Sequence, residues 1–191
     1  MTYWPIEIRP LAPERLDDFL AYFDHDAFAD NPRWASCYCQ HLYVDHNQVD
    51  WHTRTAEVNR AAACERICSR RMQGYLAYRE GKPVGWCNAA PRLLLDAFND
   101  EPDPDGARLG QITCFVIARA HRRTGVASAL LLAACAGLKA EGMAIAEAEA
   151  RSNACTDAEL HNGALEMFLA AGFEEVRRDD EKHSVWVRRR L

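Results

Sequence analysis

A short basic turn between an apolar run and a helix-forming segment most constrains how this chain can fold. The apolar run 112–117 favours a β-strand, and the alanine- and leucine-rich segment 127–139 favours a helix. The turn between them, residues 122–127, has the sequence RRTGVA. A helix that starts directly after a glycine-containing turn leaves backbone amides unpaired, and such amides bind phosphate groups well. This order of elements therefore predicts a diphosphate site at the turn.

Length and composition fit one globular domain. A chain of 191 residues buries about 70% of its unfolded surface on folding, so we expect a single domain over residues 1–191. Hydrophobic residues make up 49% and charged residues 27% of the chain, which excludes disordered and fibrous classes. No apolar run approaches the roughly 20 residues that span a bilayer, and the first residues lack a signal-peptide pattern. We therefore expect a cytoplasmic protein with reduced cysteines and no membrane partner.

The charge distribution argues against a nucleic-acid-binding protein. The net charge is -5 at pH 7, so only a strong local basic stripe could attract a phosphate backbone. The best candidate is the run of three arginines at 188–190, which we interpret as a solvated chain end. We therefore expect no nucleic-acid partner.

Hydrophobic periodicity and breaker residues divide the chain into short elements. The predicted strands are 6–9, 74–78, 83–89, 109–117, 143–150, 174–176 and 184–188, and the predicted helices are 13–23, 53–72, 125–139 and 164–171. In the helix 53–72, the spacing predicts a buried face made of Ala61, Cys64, Ile67 and Cys68. Residues 31–52 are dense in aromatic residues, cysteines and histidines but have no clean period. We expect this segment to be irregular and to line a site.

Two motifs, in order, resemble those of the GNAT superfamily of acyl-CoA-dependent N-acetyltransferases. The family signature Q/R-x-x-G-x-G/A after the fourth strand matches Arg122, Gly125 and Ala127. A second family motif, A-x-x-L-Y-x-x-x-G-F, is similar to residues 164–173 (ALEMFLAAGF). Each motif lies in the expected strand or helix context. The resemblance implies an α/β (α+β) GNAT fold, with a mixed central sheet splayed at the acyl-CoA site and helices on both faces.

The resemblance also implies acetyl-CoA (coenzyme A) as co-substrate. Backbone amides of the turn would bind the diphosphate, and the glycine and small alanine of the motif would permit its close approach. The pantetheine arm would run beside the splayed fourth strand and meet the backbone of residues 115–117. The cofactor-binding residues expected from these two parts are Phe115, Val116, Ile117, Arg122, Arg123, Thr124, Gly125, Val126 and Ala127.

At two positions that transfer protons in well-known family members, this chain carries residues that cannot do so. Gln111 stands where some members carry a glutamate base, and Phe168 replaces the tyrosine that protonates the leaving thiolate. Neither side chain can perform that task. Glu147 and Glu149 alternate with alanines on a predicted strand, so both carboxylates should share one face. We predict that one of them is the base or binds a cationic acceptor. The alternative is a solvent-facing edge strand with ordinary charges.

The segment 31–52 is predicted to supply one wall of an acceptor pocket, with ordinary packing as the alternative. Aromatic faces attract cationic amines, and the candidate substrate-pocket residues are Trp34, Tyr38, Cys39 and Asn88. A metal site is not expected, because one residue separates Cys37 from Cys39 and structural zinc sites favour pairs separated by two to four residues.

These expectations combine into a GNAT-type N-acetyltransferase. It would transfer an acetyl group from acetyl-CoA to a primary amine of a small molecule, a peptide or an amino sugar by direct attack. Gln111 and Phe168, which cannot transfer protons, support another hypothesis: a catalytically silent acyl-CoA-binding sensor or regulatory domain. His161 stands at the position of a family asparagine, and Asn162 follows it. These residues would contact the cofactor or the substrate, or would cap the next helix. A homodimer is compatible with the sequence.

Overall fold

The computed structural model describes residues 5–152 and 159–191, which form a mixed α/β structure. Its centre is a seven-stranded sheet in the order β1-β2-β3-β4-β5-β7-β6. The strands are β1 (Glu7–Pro10), β2 (Gly74–Arg79), β3 (Lys82–Pro91), β4 (Leu109–Ile117), β5 (Ile145–Arg151), β6 (Glu174–Asp179) and β7 (Ser184–Arg190). The α-helices are α1 (Leu16–Ala21), α2 (Ala56–Cys68), α3 (Val126–Ala140) and α4 (Leu165–Ala170).

Helix α2 is shorter than its predicted range because capping sets its start. The Thr55 hydroxyl accepts a hydrogen bond from the backbone N–H of Val58 at 3.3 Å and fixes the first turn. The buried face of α2 consists of Asn59, Ala63 and Ile67. The predicted face was therefore right for Ile67 and in part for Cys64, which is half-buried against the core, and wrong for Ala61 and Cys68, which are exposed. The prediction followed apolar residues only, and it therefore missed the polar Asn59 on the buried face.

The sheet is splayed between its two parallel central strands. β4 and β5 are parallel and pair only from Leu109 with Ile145 to Gln111 with Glu147. Beyond that point β4 continues along β3, and β5 continues along β7 as far as Arg151. A gap therefore opens between the C-terminal halves of β4 and β5, which confirms the predicted splayed mixed sheet.

A β-bulge in β4 decides which of its side chains face each side of the gap. β3 pairs Trp86 with Val116 but Asn88 with Thr113, so two residues of β4 stand opposite one of β3. Cys114, within this bulge, has a positive φ of 53°. A bulge reverses the alternation of the residues that follow it. Cys114 and Val116 consequently face the same side of the sheet as Thr113, and no sequence pattern predicts this.

Two hydrophobic clusters cover the two faces of the sheet, as the family resemblance implied. On one face, α3 and α4 pack through Leu130, Leu138 and Phe168. On the other face, α1, α2 and part of the segment 31–52 pack around Trp86. The cavities described below lie where the splay interrupts this covering.

The C-terminal arginines form part of an inner strand. Residues 188–190 belong to β7, which lies between β5 and β6. Arg188 is partly buried and donates from Nε to a carboxylate oxygen of Glu147 at 2.6 Å. The interpretation of this run as a solvated chain end was therefore wrong for Arg188. Within residues 5–152 and 159–191, no helix is long and apolar enough to cross a membrane.

Candidate functional site

A cavity of about 700 Å³ opens at the splay, beside the start of α3. Its walls include the end of β4, the turn that follows it and the first turn of α3. Eight of the nine predicted cofactor-binding residues line it: Phe115, Val116, Ile117, Arg122, Arg123, Gly125, Val126 and Ala127. We call this space the turn cavity.

The backbone of the turn is shaped to bind an anion. Arg123 and Gly125 both adopt positive φ, at 57° and 85°, and this turns consecutive amides toward one side. Gly125 is the N-cap of α3 and provides no side-chain cap. The first intrahelical hydrogen bond runs from Ala129 to the Gly125 carbonyl at 3.0 Å, so the earlier amides of the helix remain available. This chemistry fits the diphosphate of coenzyme A.

Arg122 has a structural contact in addition to its place on the cavity wall. Its guanidinium donates to the Ile117 carbonyl at 3.0 Å and to both carboxylate oxygens of Asp30 at 2.6 and 2.8 Å. These hydrogen bonds lower the pKa of Asp30. Arg122 thus ties the end of β4 to the loop after α1, while Arg119 and Arg123 add positive charge to the cavity wall.

Thr124 is the one predicted cofactor residue that does not line the turn cavity. Its hydroxyl donates to the His121 carbonyl at 2.7 Å, and its own carbonyl accepts from Arg79. The side chain closes the turn on itself, which explains its position away from the cavity.

A second cavity of about 360 Å³ lies on the α1 and α2 side of the sheet. We call it the aromatic cavity. The segment 31–52 supplies much of its wall, including Trp34, Cys39 and Trp51. The strands β4, β5 and β7 supply another part, and loop residues near positions 23–28, 98 and 161–162 complete it. The expectation that this irregular segment lines a cavity is therefore met in the structure. The roles of Trp34 and Cys39 in acceptor binding remain predictions.

The two cavities meet at a common wall. Phe28, Trp34, Val116 and His161 line both of them. The Trp34 and His161 rings form an edge-on pair with centroids 4.7 Å apart. Ligands bound in the two cavities would therefore approach each other beside Val116.

The two predicted carboxylates share a face of β5 but have different surroundings. Glu147 is 3% exposed, and its oxygens accept from Arg92 Nη1 at 3.1 Å and from Arg188. Glu149, two residues further along, lies on the wall of the aromatic cavity, whereas Glu147 does not. The prediction that Glu147 could be the base is therefore corrected. Its carboxylate is held by two guanidinium groups outside the aromatic cavity, and we assign it a structural role. Glu149 keeps its predicted role as a candidate.

Two predicted pocket residues lie behind the wall of the aromatic cavity. The Tyr38 hydroxyl donates to Asp24 at 2.6 Å, and burial together with that carboxylate raises the pKa of Tyr38 to about 12. Asn88 is fully buried and donates from Nδ2 to the Tyr43 hydroxyl at 2.9 Å. Neither residue lines the cavity, because both are held in the packing beneath it.

Three thiols belong to the wall of the aromatic cavity. Burial raises the pKa of Cys37 to about 11, so this thiol is protonated at neutral pH. The Cys39 thiol donates to Cys114, which raises the pKa of Cys39 and lowers that of Cys114. In the described parts of the chain, no group of three or more histidine, cysteine, aspartate or glutamate residues is arranged to hold a metal ion.

Sequence reasoning did not assign Gln111 and Thr113 to the acceptor pocket, although both line the aromatic cavity. Gln111 was noted only because it cannot act as a base. Their placement on one face could have been inferred from their spacing of two on a strand, but the direction of that face depends on tertiary packing. Phe168 is a core residue, with its ring centroid 6.0 Å from that of Phe115 and 5.2 Å from that of Phe173.

Comparison with solved structures supports the fold. Ribosomal-protein-alanine N-acetyltransferase from Brucella melitensis is 17% identical with a TM-score of 0.57, over 97% of this chain and 99% of that one. An acetyltransferase from Thermus thermophilus is 18% identical with a TM-score of 0.58, over 100% of both chains. PaiA N-acetyltransferase from Thermoplasma acidophilum, in complex with coenzyme A, is 12% identical with a TM-score of 0.56, over 98% and 99%.

Sequence comparison supplies the family. No curated protein matches the chain significantly. A sequence profile of the Acetyltransferase (GNAT) family matches residues 38–173, which is more than half of the chain and includes both cavities' shared strand β4. Since the splayed sheet and the glycine-containing turn before α3 also stand in the positions that the family resemblance implied, this chain belongs to the GNAT family of acetyltransferases.

Proposed function

We propose that the chain transfers the acetyl group of acetyl-CoA to the primary amine of a small molecule or a peptide within one ternary complex. The observation that carries this proposal is the common wall of the two cavities at Val116. One cavity ends in an amide-rich turn at a helix start, and the other contains a carboxylate and aromatic faces. An acetyl donor in the first and an amine in the second would meet at the common wall, as direct attack requires.

The turn cavity would hold coenzyme A through backbone groups. Amides at the start of α3 would bind the diphosphate, and Arg119 and Arg123 would add long-range attraction. The backbone of residues 115–117 would orient the pantetheine arm beside the gap between β4 and β5. When bound, acetyl-CoA supplies an activated thioester at the common wall.

Glu149 is assigned as the proton acceptor for the amine. An ammonium ion has no lone pair, so the acceptor must lose a proton before it attacks. Among the described residues of the aromatic cavity wall, Glu149 is the only carboxylate. The amine nitrogen then bonds to the acetyl carbonyl carbon as the bond from that carbon to sulfur breaks. Because Phe168 has no proton to give, the sulfur leaves as a thiolate or takes its proton from another group.

Two measurements test this function. Isothermal titration should show coenzyme A binding with a dissociation constant between about 1 µM and 1 mM, the usual range for enzyme substrates. Release of free thiol from acetyl-CoA should then depend on an added primary amine. Coenzyme A binding without thiol release, across a broad panel of amines, would instead favour the silent sensor domain. Absence of binding to folded protein would contradict both hypotheses.

A further inference from the structure

The aromatic cavity contains buried polar atoms that no described part of the chain satisfies. Gln111 is 0% exposed, and neither its Nε2 nor its Oε1 has a hydrogen-bond partner within residues 5–152 and 159–191. Thr113, 9% exposed, lies in the same part of the structure, and its hydroxyl has only the Cys114 thiol beside it as a weak acceptor. Both residues line the aromatic cavity from one face of β4. Buried polar groups are almost always paired in native proteins, so the missing partner indicates a ligand group.

The unpaired atoms define the chemistry of that group. The side chain of Gln111 offers one donor and one acceptor on a single planar edge. A primary carboxamide presents the complementary acceptor and donor, whereas a trans secondary amide directs its N–H and C=O in opposite directions. A carboxylate has no donor, and its burial beside two neutral groups is unfavourable. Arg33, the arginine on the wall, is exposed and so lies at the mouth of the cavity.

The spacing of Gln111 and Glu149 limits the size of the ligand. Gln111 is in register with Glu147, and Glu149 lies two residues further along β5. Two residues of a strand rise by about 7 Å, so a ligand that reaches both side chains carries its amine within a few bonds of its carboxamide. The indoles of Trp34, Trp51 and Trp186 also face this space and favour a flat, apolar body.

We infer that the acceptor is a small primary amine with a neutral primary carboxamide close to the amine and an aromatic or flat apolar side group. The inference rests on the proposed function, since it names the acceptor of that same site. The amine binds at Glu149, the carboxamide pairs with Gln111 and Thr113, and the side group packs against the indoles. A cavity of about 360 Å³ is near the lower end of small-molecule pockets and suits such a ligand.

The test compares L-phenylalaninamide with L-phenylalanine methyl ester and L-phenylalanine. The ester retains the carbonyl acceptor of the amide but lacks its N–H donor. The pKa of its amine is lowered to a similar extent as that of the amide. For the wild-type protein, kcat/KM should be about 10- to 100-fold higher for the amide than for the ester, because the ester leaves a buried group unpaired. Gln111→Leu should reduce this preference to within about threefold, and Thr113→Val should reduce it partly.

Matched controls separate recognition from folding. Gln111→Leu should unfold at the same or a higher temperature than wild type, because it replaces an unpaired buried amide by an apolar group of similar volume. Cys68→Ser, at an exposed position at the end of α2, should keep the full amide preference. A retained amide preference in a folded Gln111→Leu protein would overturn the assignment to Gln111.

Binding distinguishes failure of this inference from failure of the proposed function. Equal kcat/KM for the amide and the ester, or faster turnover of the free acid, overturns the inference and leaves acetyl transfer standing. Without turnover of any amine, the proposed function fails, and tryptophan fluorescence still reports ligand binding near Trp34, Trp51 and Trp186. In that case at least tenfold tighter binding of the amide than of the ester, lost in Gln111→Leu, supports the ligand assignment. Equal binding overturns it.

Discussion

The two cavities of this protein are built from different parts of the polypeptide. The end of the turn cavity that we propose for the diphosphate consists of backbone amides at the start of α3, beside two positive-φ residues in the turn. The aromatic cavity depends on side chains from three strands and from the segment 31–52. A diphosphate presents the same oxygens in every use, so backbone suffices to bind it. Under the proposed function, side chains recognise the acceptor, and side chains can change without altering the fold.

The largest effect is expected at Glu149, the carboxylate of the aromatic cavity wall that we propose as the base. Glu149→Gln should lower kcat by about 10²- to 10⁴-fold, the usual contribution of a general base, with little change in KM for acetyl-CoA. The measurement is steady-state thiol release with the best available amine. Glu174→Gln, an exposed substitution in β6, is the matched control and should keep normal turnover. A rise in KM for the amine at unchanged kcat would show that Glu149 binds the cation without taking its proton.

Substitution of Glu147 should lower stability, whereas substitution of Glu149 should lower turnover. Glu147→Gln removes the charge between Arg92 and Arg188 and leaves each guanidinium with a single carboxylate partner, Glu101 or Asp103. The free energy of unfolding should fall by about 1–3 kcal/mol, measured by urea denaturation with linear extrapolation. Glu149→Gln is the control and should change stability by less than about 1 kcal/mol. Equal stability losses in the two variants would contradict the division of roles.

The contrast between the two glutamates shows where sequence-based prediction stops. Alternation with alanine correctly placed both on one face of a strand, and the family motifs correctly implied the splayed sheet. The difference between them comes from Arg92 and Arg188, which are 55 and 41 residues away from Glu147 in sequence. Local pattern carries no information about such partners.

The same limit applies along β4. Its range, 109–117, was predicted with the correct ends. The bulge at Cys114 then sets which later residues face each cavity, and a bulge leaves no mark on the hydrophobic pattern of a buried strand. Tyr38 and Asn88 were assigned to a pocket by residue type alone, but their hydrogen bonds hold them in the packing beneath it.

Strain in the turn should weaken cofactor binding without affecting the aromatic cavity. Gly125 has a φ of 85° and open space where a Cβ would lie, so Gly125→Ala introduces backbone strain without a steric clash. Strain of about 1–2 kcal/mol that tilts the amides should raise the dissociation constant of coenzyme A by roughly tenfold, as measured by isothermal titration. Gly81→Ala is the matched control, because Gly81 has a φ of 74° and equally open space for a Cβ in the β2–β3 turn. It should lose similar stability and keep its affinity for coenzyme A.

The smallest expected effect is a pH dependence specific to the wall of the aromatic cavity. Burial and the neighbouring His46 and His161 lower the pKa of His41 to about 4. In the unfolded chain this imidazole binds its proton near pH 6.5, so the unfolded state gains a proton first as the pH falls. Stability from a neutral His41 is therefore complete above about pH 6.5 and declines toward pH 4.

Replacement of His41 should remove this part of the acid sensitivity. Between pH 7 and pH 5, the free energy of unfolding of wild type should fall by up to about 1 kcal/mol more than that of His41→Gln, after allowance for the partial solvent exposure of the ring. Urea denaturation at the two pH values measures the difference. His52→Gln, at an exposed position nearby, should follow wild type. Identical pH responses of wild type and His41→Gln would show that the wall gains no stability from an uncharged His41. Coenzyme A affinity should be equal in these proteins at each pH, since His41 lies outside the turn cavity.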